Sequence, residues 1–147
     1  MAENLHASAV VLGDRGIVIT GESGSGKSQL SMALLDHARA NGRFARLVAD
    51  DQLFLMAHGG RVLCSAPPAI SGLIEVRGLG PHAVAYESRA PVDLLVRLVD
   101  RAAAERFPER ATAALAGCAV PLVELAREDL FGARMAILAR LSMPPFA

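Results

Sequence analysis

Residues 21–28, Gly21-Glu22-Ser23-Gly24-Ser25-Gly26-Lys27-Ser28, satisfy the pattern G-x-x-x-x-G-K-[ST]. That pattern works in one setting only: a buried strand ends, the backbone curls, and a helix begins. The chain supplies this setting. Gly16-Ile17-Val18-Ile19-Thr20 is a short apolar, β-branched run that predicts a buried strand, and Gln29 to Arg39 carries apolar residues at helical spacing. The glycines let successive N–H groups turn inward toward phosphate oxygens. Lys27 is placed to reach the β- and γ-phosphates of a nucleotide and the Ser28 hydroxyl to hold Mg²⁺. A helix opening at Lys27 turns its positive dipole end to the same spot.

A chain of 147 residues is expected to form one domain over its whole length, with a core of Leu, Val, Ile and Ala because it has no Trp and few aromatics. Fifteen basic residues balance fifteen acidic ones. No global field therefore draws the chain to nucleic acid or to an anionic membrane surface. Cys64 and Cys118 lie far apart without metal-ligand spacing and read as buried thiols of a reducing compartment. No apolar run approaches a membrane span, and Met1-Ala2-Glu3-Asn4 lacks the basic start of a secretory signal. The expectation is a cytoplasmic protein.

Along the chain, Leu5–Leu12 and the strand before the loop read as a hairpin across Gly13-Asp14-Arg15-Gly16. A helix is predicted from Lys27 to Ala40, stopped by Asn41-Gly42. Ala45–Ala49 reads as a strand ending in Asp50-Asp51. Leu53–Ala57 and Arg61–Cys64 read as a hairpin around His58-Gly59-Gly60. Leu73–Arg77 follows as a strand, and Gly78-Leu79-Gly80-Pro81 is expected to continue no regular element. Val92–Val99 suits strand or helix. The alanine-rich stretch 101–117 is expected to be helical in part, with Pro108 interrupting, and Leu130–Leu141 is predicted as a helix. The sum is an α/β P-loop domain with a mixed, strand-rich sheet and flanking helices, without regular β-α-β-α alternation.

Two further groups of residues suit chemistry on a bound nucleotide. Leu47-Val48-Ala49-Asp50-Asp51 delivers two carboxylates at the carboxyl end of a strand, where ligands bind in open α/β sheets. One can hold Mg²⁺ and the other can accept a proton from an attacking hydroxyl. Adjacent residues of a regular strand face opposite ways, so one of the two is then structural. Glu75 and Arg77 share one side of their strand, as a surface ion pair or as a Mg²⁺ ligand beside a phosphate-stabilising cation. His6, His37, His58 and His82 stand alone, without metal-ligand spacing.

Taken together, Gly21–Ser28, the L-V-A-D-D run Leu47–Asp51, and Gly72-Leu73-Ile74-Glu75-Val76-Arg77-Gly78-Leu79-Gly80 resemble the catalytic domain of the HPr kinase/phosphorylase family, in that order. His6 matches a histidine that opens a strand upstream of the loop in that family. The resemblance is clear over residues 5–80. It implies an ATP-dependent kinase that phosphorylates a serine of HPr, the small phosphocarrier of the sugar and nitrogen phosphotransferase system. It also implies a fold similar to the P-loop domain of phosphoenolpyruvate carboxykinase, and a homo-oligomer, the longer members being hexamers. By the same resemblance Lys27 and the loop amides hold the triphosphate and Ser28 and Glu75 hold Mg²⁺, with Asp51 a further metal candidate. Asp50 is the base, Arg77 stabilises the transferred charge, and His6 lies near the phosphates.

The chain departs from the family pattern in several places. By the resemblance it is expected to begin almost at the catalytic domain, without the amino-terminal domain of longer members. Gln29 stands where Glu is usual, and Pro81-His82 interrupts the run after Gly80. Arg106 is the best match to a later arginine-bearing loop. A P-V-R-P-G-R-N segment tied to the reverse, phosphorolytic reaction is replaced by Glu124-Leu125-Ala126-Arg127-Glu128-Asp129-Leu130. Weak or absent phosphorylase activity is therefore expected. Two other readings remain: a P-loop kinase of a small metabolite, with Arg97, Arg101, Arg106 and Arg110 as a loose lid, and a non-catalytic nucleotide-responsive regulator.

Overall fold

The computed structural model describes residues 3–146. Along the chain run β1 (Glu3–Leu5), β2 (Ala7–Leu12), β3 (Arg15–Thr20), α1 (Lys27–Ala40), β4 (Ala45–Ala49), β5 (Leu53–His58) and β6 (Arg61–Ser65). They are followed by β7 (Leu73–Val76), β8 (Gly80–Ala83), β9 (Arg89–Pro91), β10 (Leu94–Val99), β11 (Ala111–Leu115), β12 (Cys118–Ala126) and α2 (Leu130–Arg140). A six-stranded sheet in the order β11-β12-β10-β3-β2-β4 forms the centre, with a four-stranded sheet β1-β5-β6-β9 and a small hairpin β7-β8 beside it.

Strand direction decides where the chemistry sits. β3, β10 and β12 are parallel, and β2 runs antiparallel to both β3 and β4. β4 therefore points the same way as β3. The loop after β3, the acids after β4 and the residues after β10 and β12 all emerge at one edge, together with the start of β2. This is the carboxyl edge at which α/β sheets bind ligands.

The central strands bury both faces, and their side chains sort by alternation. Val10, Leu12, Ile17, Ile19, Leu94, Val96 and Leu98 pack with Leu30, Leu34 and Leu35 of α1 and Ile137 and Leu138 of α2. On the other face Ala9, Val11, Val18 and Leu95 pack with Leu53 and Leu55 of β5 and Val62 of β6. Each fully buried Leu or Ile here contributes about 1.5–3 kcal/mol of hydrophobic stabilisation, so the edge that carries the loop rests on a core packed from both sides. Gly16 is dictated by close approach: a Cβ there would lie 1.7 Å from the Pro91 carbonyl oxygen.

The predicted helix Lys27–Ala40 and strand Ala45–Ala49 match the observed elements. Val92–Val99 resolves as strand β10. Three expectations are corrected. The strand read over Leu5–Leu12 breaks at His6 into β1, which joins the four-stranded sheet, and β2. Gly80 and Pro81 do continue a regular element: they open β8, an exposed strand of a two-stranded hairpin, where a missing N–H is tolerated. The stretch 101–117 is not a helix beyond one 3-10 turn at Arg101–Ala103. Its second half is β11, turned back through Ala116 (φ 48) and Gly117 (φ 79) onto β12. Alanine's helix preference is a few tenths of a kcal/mol per residue, roughly, and sheet pairing outweighs it. Cys64 is buried, as read, and burial pushes its thiol from 9.0 up to about 12, whereas Cys118 is only half-buried.

Candidate active site

At the carboxyl edge the P-loop leaves β3 through Gly21 and enters α1 at Lys27. Gly24 (φ 82) and Gly26 (φ 101) take left-handed conformations closed to most L-residues, which lets the loop curl on itself. No side chain caps α1, so its first N–H groups stay available to an anion. A cavity of about 210 Å³ opens beneath, lined by Ser23, Gly24, Gly26 and Gln29 of the loop region together with Lys27, Ser28, Asp51, Glu75 and Arg77.

Glu22 and Ser25 of the loop do not line the cavity. Glu22 is exposed, and its carboxylate pairs with Arg127 at 3.4 Å. Ser25 is buried against Gly21, and its hydroxyl has no hydrogen-bond partner. Lys27 is buried and its ammonium donates to the carbonyl oxygens of Gly21 (3.0 Å) and Glu22 (3.3 Å).

The two aspartates divide sharply. Asp50 is buried and receives three donors: the Ser28 hydroxyl at 2.7 Å, the Ser8 hydroxyl at 2.9 Å and the Glu75 backbone N–H at 2.9 Å. Asp51 is exposed and faces the cavity. Its Oδ1 lies 3.1 Å from His6 Nε2 and 3.8 Å from Lys27 Nζ. Strand alternation would have set the two carboxylates on opposite faces. Asp51 instead adopts φ 72, and the chain turns enough for both to serve one site.

Glu75 and Arg77 come from the β7-β8 hairpin. The Glu75 N–H bond to Asp50 ties that hairpin to the end of β4. No Glu75–Arg77 ion pair is found among the described residues; both line the cavity instead. Arg106 lies outside it, its guanidinium 5.6 Å from the ring centre of an exposed Phe107.

Ser8 escaped the sequence reading. The signal was a lone hydroxyl inside the apolar run Ala7–Leu12, at a spacing that says nothing of what faces it. Gln29, noted only as a departure, lines the cavity.

The donor set suits a hard cation: Ser28, Asp51 and Glu75, which line the cavity, offer only oxygen. No group of three His, Cys, Asp or Glu side chains among the described residues is assembled to cage a metal by itself. Mg²⁺ needs no such cage, since it keeps several waters and takes one or two carboxylates along with phosphate oxygens. The residues fit a Mg²⁺ that arrives with a phosphate chain.

A P-loop opening a helix, beside an acid pair delivered by a strand that points the same way as the one before the loop, defines an α/β domain of the P-loop class. The comparisons with known proteins narrow this. The model of the HPr Serine kinase C-terminal domain matches residues 1–126. An HPr kinase/phosphorylase of Clostridium tetani is 42% identical over 76 residues, 52% of this chain and 23% of that protein. One of Levilactobacillus brevis is 34% identical over 104 residues, 65% of this chain and 32% of that protein. The solved HPr(Ser) kinase/phosphatase of Coxiella burnetii superposes with a TM-score of 0.79 at 26% identity, over 95% of this chain and 96% of that one. The chain belongs to the HPr serine kinase C-terminal domain family. It spans between about a quarter and a third of the length of the curated relatives named above.

Proposed function

We propose that this chain transfers the γ-phosphoryl group of ATP to a serine hydroxyl of an HPr-like phosphocarrier protein, and so regulates a phosphotransferase system. The observation that carries the reading is the division of Asp50 from Asp51 beneath the P-loop. Asp50 is tied to the Mg²⁺-binding serine of the loop, whereas Asp51 faces the cavity beside Lys27 and His6.

The loop amides and Lys27 hold the triphosphate. Ser28 and Glu75 would hold Mg²⁺, with Asp50 bonded behind Ser28, and the ion when bound neutralises charge on the phosphate oxygens. A serine hydroxyl is protonated at neutral pH and a weak nucleophile. As its oxygen bonds to the γ-phosphorus, the bond from that phosphorus to the β–γ bridging oxygen breaks, ADP leaves, and the serine proton passes to Asp51. Asp51 thus takes the proton-accepting role that the family resemblance had implied for Asp50, because Asp50 has its oxygens filled by other donors. His6 sets the direction of the Asp51 carboxylate, and Arg77 faces the equatorial oxygens of the group in transit.

The reverse, phosphorolytic reaction is expected to be slow. Glu124, Glu128 and Asp129 surround Arg127, the one arginine in segment 124–130, and disfavour an incoming phosphate. A homo-oligomer is part of this reading on the family likeness alone.

The test mixes the purified protein with Mg·ATP and HPr of the same organism and reads the intact mass of HPr. One added phosphate, mapped to a serine, is expected. Unmodified HPr with ATP bound would move the reading to a nucleotide-dependent regulator or to a metabolite kinase.

A further inference from the structure

Ser8 is fully buried at the start of β2, and its hydroxyl meets both aspartates. A serine has one proton to give and lone pairs to accept with. Both capacities are used: Oγ donates to Asp50 Oδ1 at 2.9 Å and accepts from the Asp51 N–H at 3.1 Å. Between those two bonds the backbone enters the left-handed region at Asp51, φ 72. Most residues with a Cβ disfavour that conformation; aspartate tolerates it better than most, and a buried hydrogen-bond partner fixes it.

What the turn achieves is the site itself. In a regular strand the Asp51 carboxylate would point away from that of Asp50. With the turn in place, Asp51 Oδ1 reaches His6 Nε2 at 3.1 Å and Lys27 Nζ at 3.8 Å, while Asp50 stays on Ser28 at 2.7 Å.

We infer that Ser8 is a positioning residue for phosphoryl transfer: its hydroxyl holds Asp51 in the left-handed turn and fixes the spacing between the metal-side and proton-accepting carboxylates. This rests on the reading of Asp51 as the proton acceptor. Alanine at this place leaves Asp50 with its Ser28 and Glu75 donors but removes the partner of the Asp51 N–H. The effect therefore falls on the reacting carboxylate more than on nucleotide binding.

The experiment uses the full chain with Ser8→Ala and Ser8→Thr and takes two readings. In Ser8→Ala, amide hydrogen exchange at Asp51 is expected to quicken about tenfold or more while Leu47 and Val48 keep their protection. Against Mg·ATP and HPr, kcat is expected to fall about 10- to 100-fold, as for a displaced reacting group, with KM for ATP unchanged. Ser8→Thr keeps the oxygen on a strand-compatible side chain and recovers most of the rate. Unchanged Asp51 exchange, a uniform loss of protection across β2 and β4, or a defect confined to KM for ATP would overturn the inference. Exchange needs no phosphotransfer, so a wild-type protein inactive on HPr would remove the functional reading and leave the exchange result to decide the role of Ser8.

Discussion

Two polar clusters touch the P-loop, one at each end, and they are built on different terms. At its end, Ser28 enters the cluster around Asp50, where Ser8, Ser28 and the Glu75 N–H surround one buried carboxylate at 2.7–2.9 Å. At its start, Glu22 enters the cluster around Arg127, which spans 3.4 Å to Glu22 and 2.9 Å to Asp100, with both acids largely exposed. The first cluster is shielded from water, so each missing partner would leave a desolvated group and its geometry is narrowly set. The second is screened and flexible, and an exposed pair is worth less than about 1 kcal/mol. Position beside a binding loop does not by itself make a polar group part of the mechanism; burial with full satisfaction separates the two ends.

The widest test of this contrast is Lys27→Ala, which removes the one buried Lys or Arg among the described residues. It is expected to cost about 100- to 1,000-fold or more in kcat/KM for ATP, measured by coupled ADP release with HPr present. Next comes the aspartate pair. Asp51→Asn is expected to lower kcat about 100-fold or more while ATP affinity by calorimetry stays near wild type. Asp50→Asn is expected to weaken Mg·ATP binding and to lower the melting temperature, because an amide cannot accept from all three donors. The opposite assignment, with Asp50→Asn sparing binding and losing only kcat, would sink the division of roles drawn from the Asp51 turn. The smallest effect is expected at the other end of the loop. Arg127→Ala should shift stability by less than about 1 kcal/mol, a few degrees in Tm, and raising salt should shrink even that. A loss comparable to Asp50→Asn would show that the exposed cluster shapes the loop after all.

The parts that sequence revealed are the parts governed by local chemistry. The strand before Gly21, the helix from Lys27 to Ala40 and its stop at Asn41-Gly42 follow from periodicity and end signals, and the structure has them at those residues. Lys27, Ser28, Glu75, Arg77 and Asp51, named from motifs, come together around one cavity. What stayed hidden depended on partners distant in sequence. The alanine-rich residues 111–116 read as helix because nothing local showed that Cys118–Ala126 would pair with them. The different surroundings of Asp50 and Asp51 hinge on one dihedral angle and on a serine some forty residues upstream, joined to them across two paired strands.

The segment after β8 has a consequence for how the molecule meets other chains. β4 is the last strand of the central sheet, and Leu47 would offer its free N–H and C=O to any passing strand. Residues 85–87 lie along it: Leu47 N–H donates to the Ala85 oxygen at 3.1 Å, and Glu87 N–H donates to the Leu47 oxygen at 2.8 Å. The Tyr86 ring presses on Gly72, where even a Cβ would lie 2.6 Å from a ring carbon. The hairpin that brings Glu75 to the cavity is thus continuous with a strap that seals the sheet. If the strap peels away, the protein exposes an adhesive edge, so a change such as Gly72→Ala, which unseats Tyr86, is felt as self-association in addition to any slower chemistry.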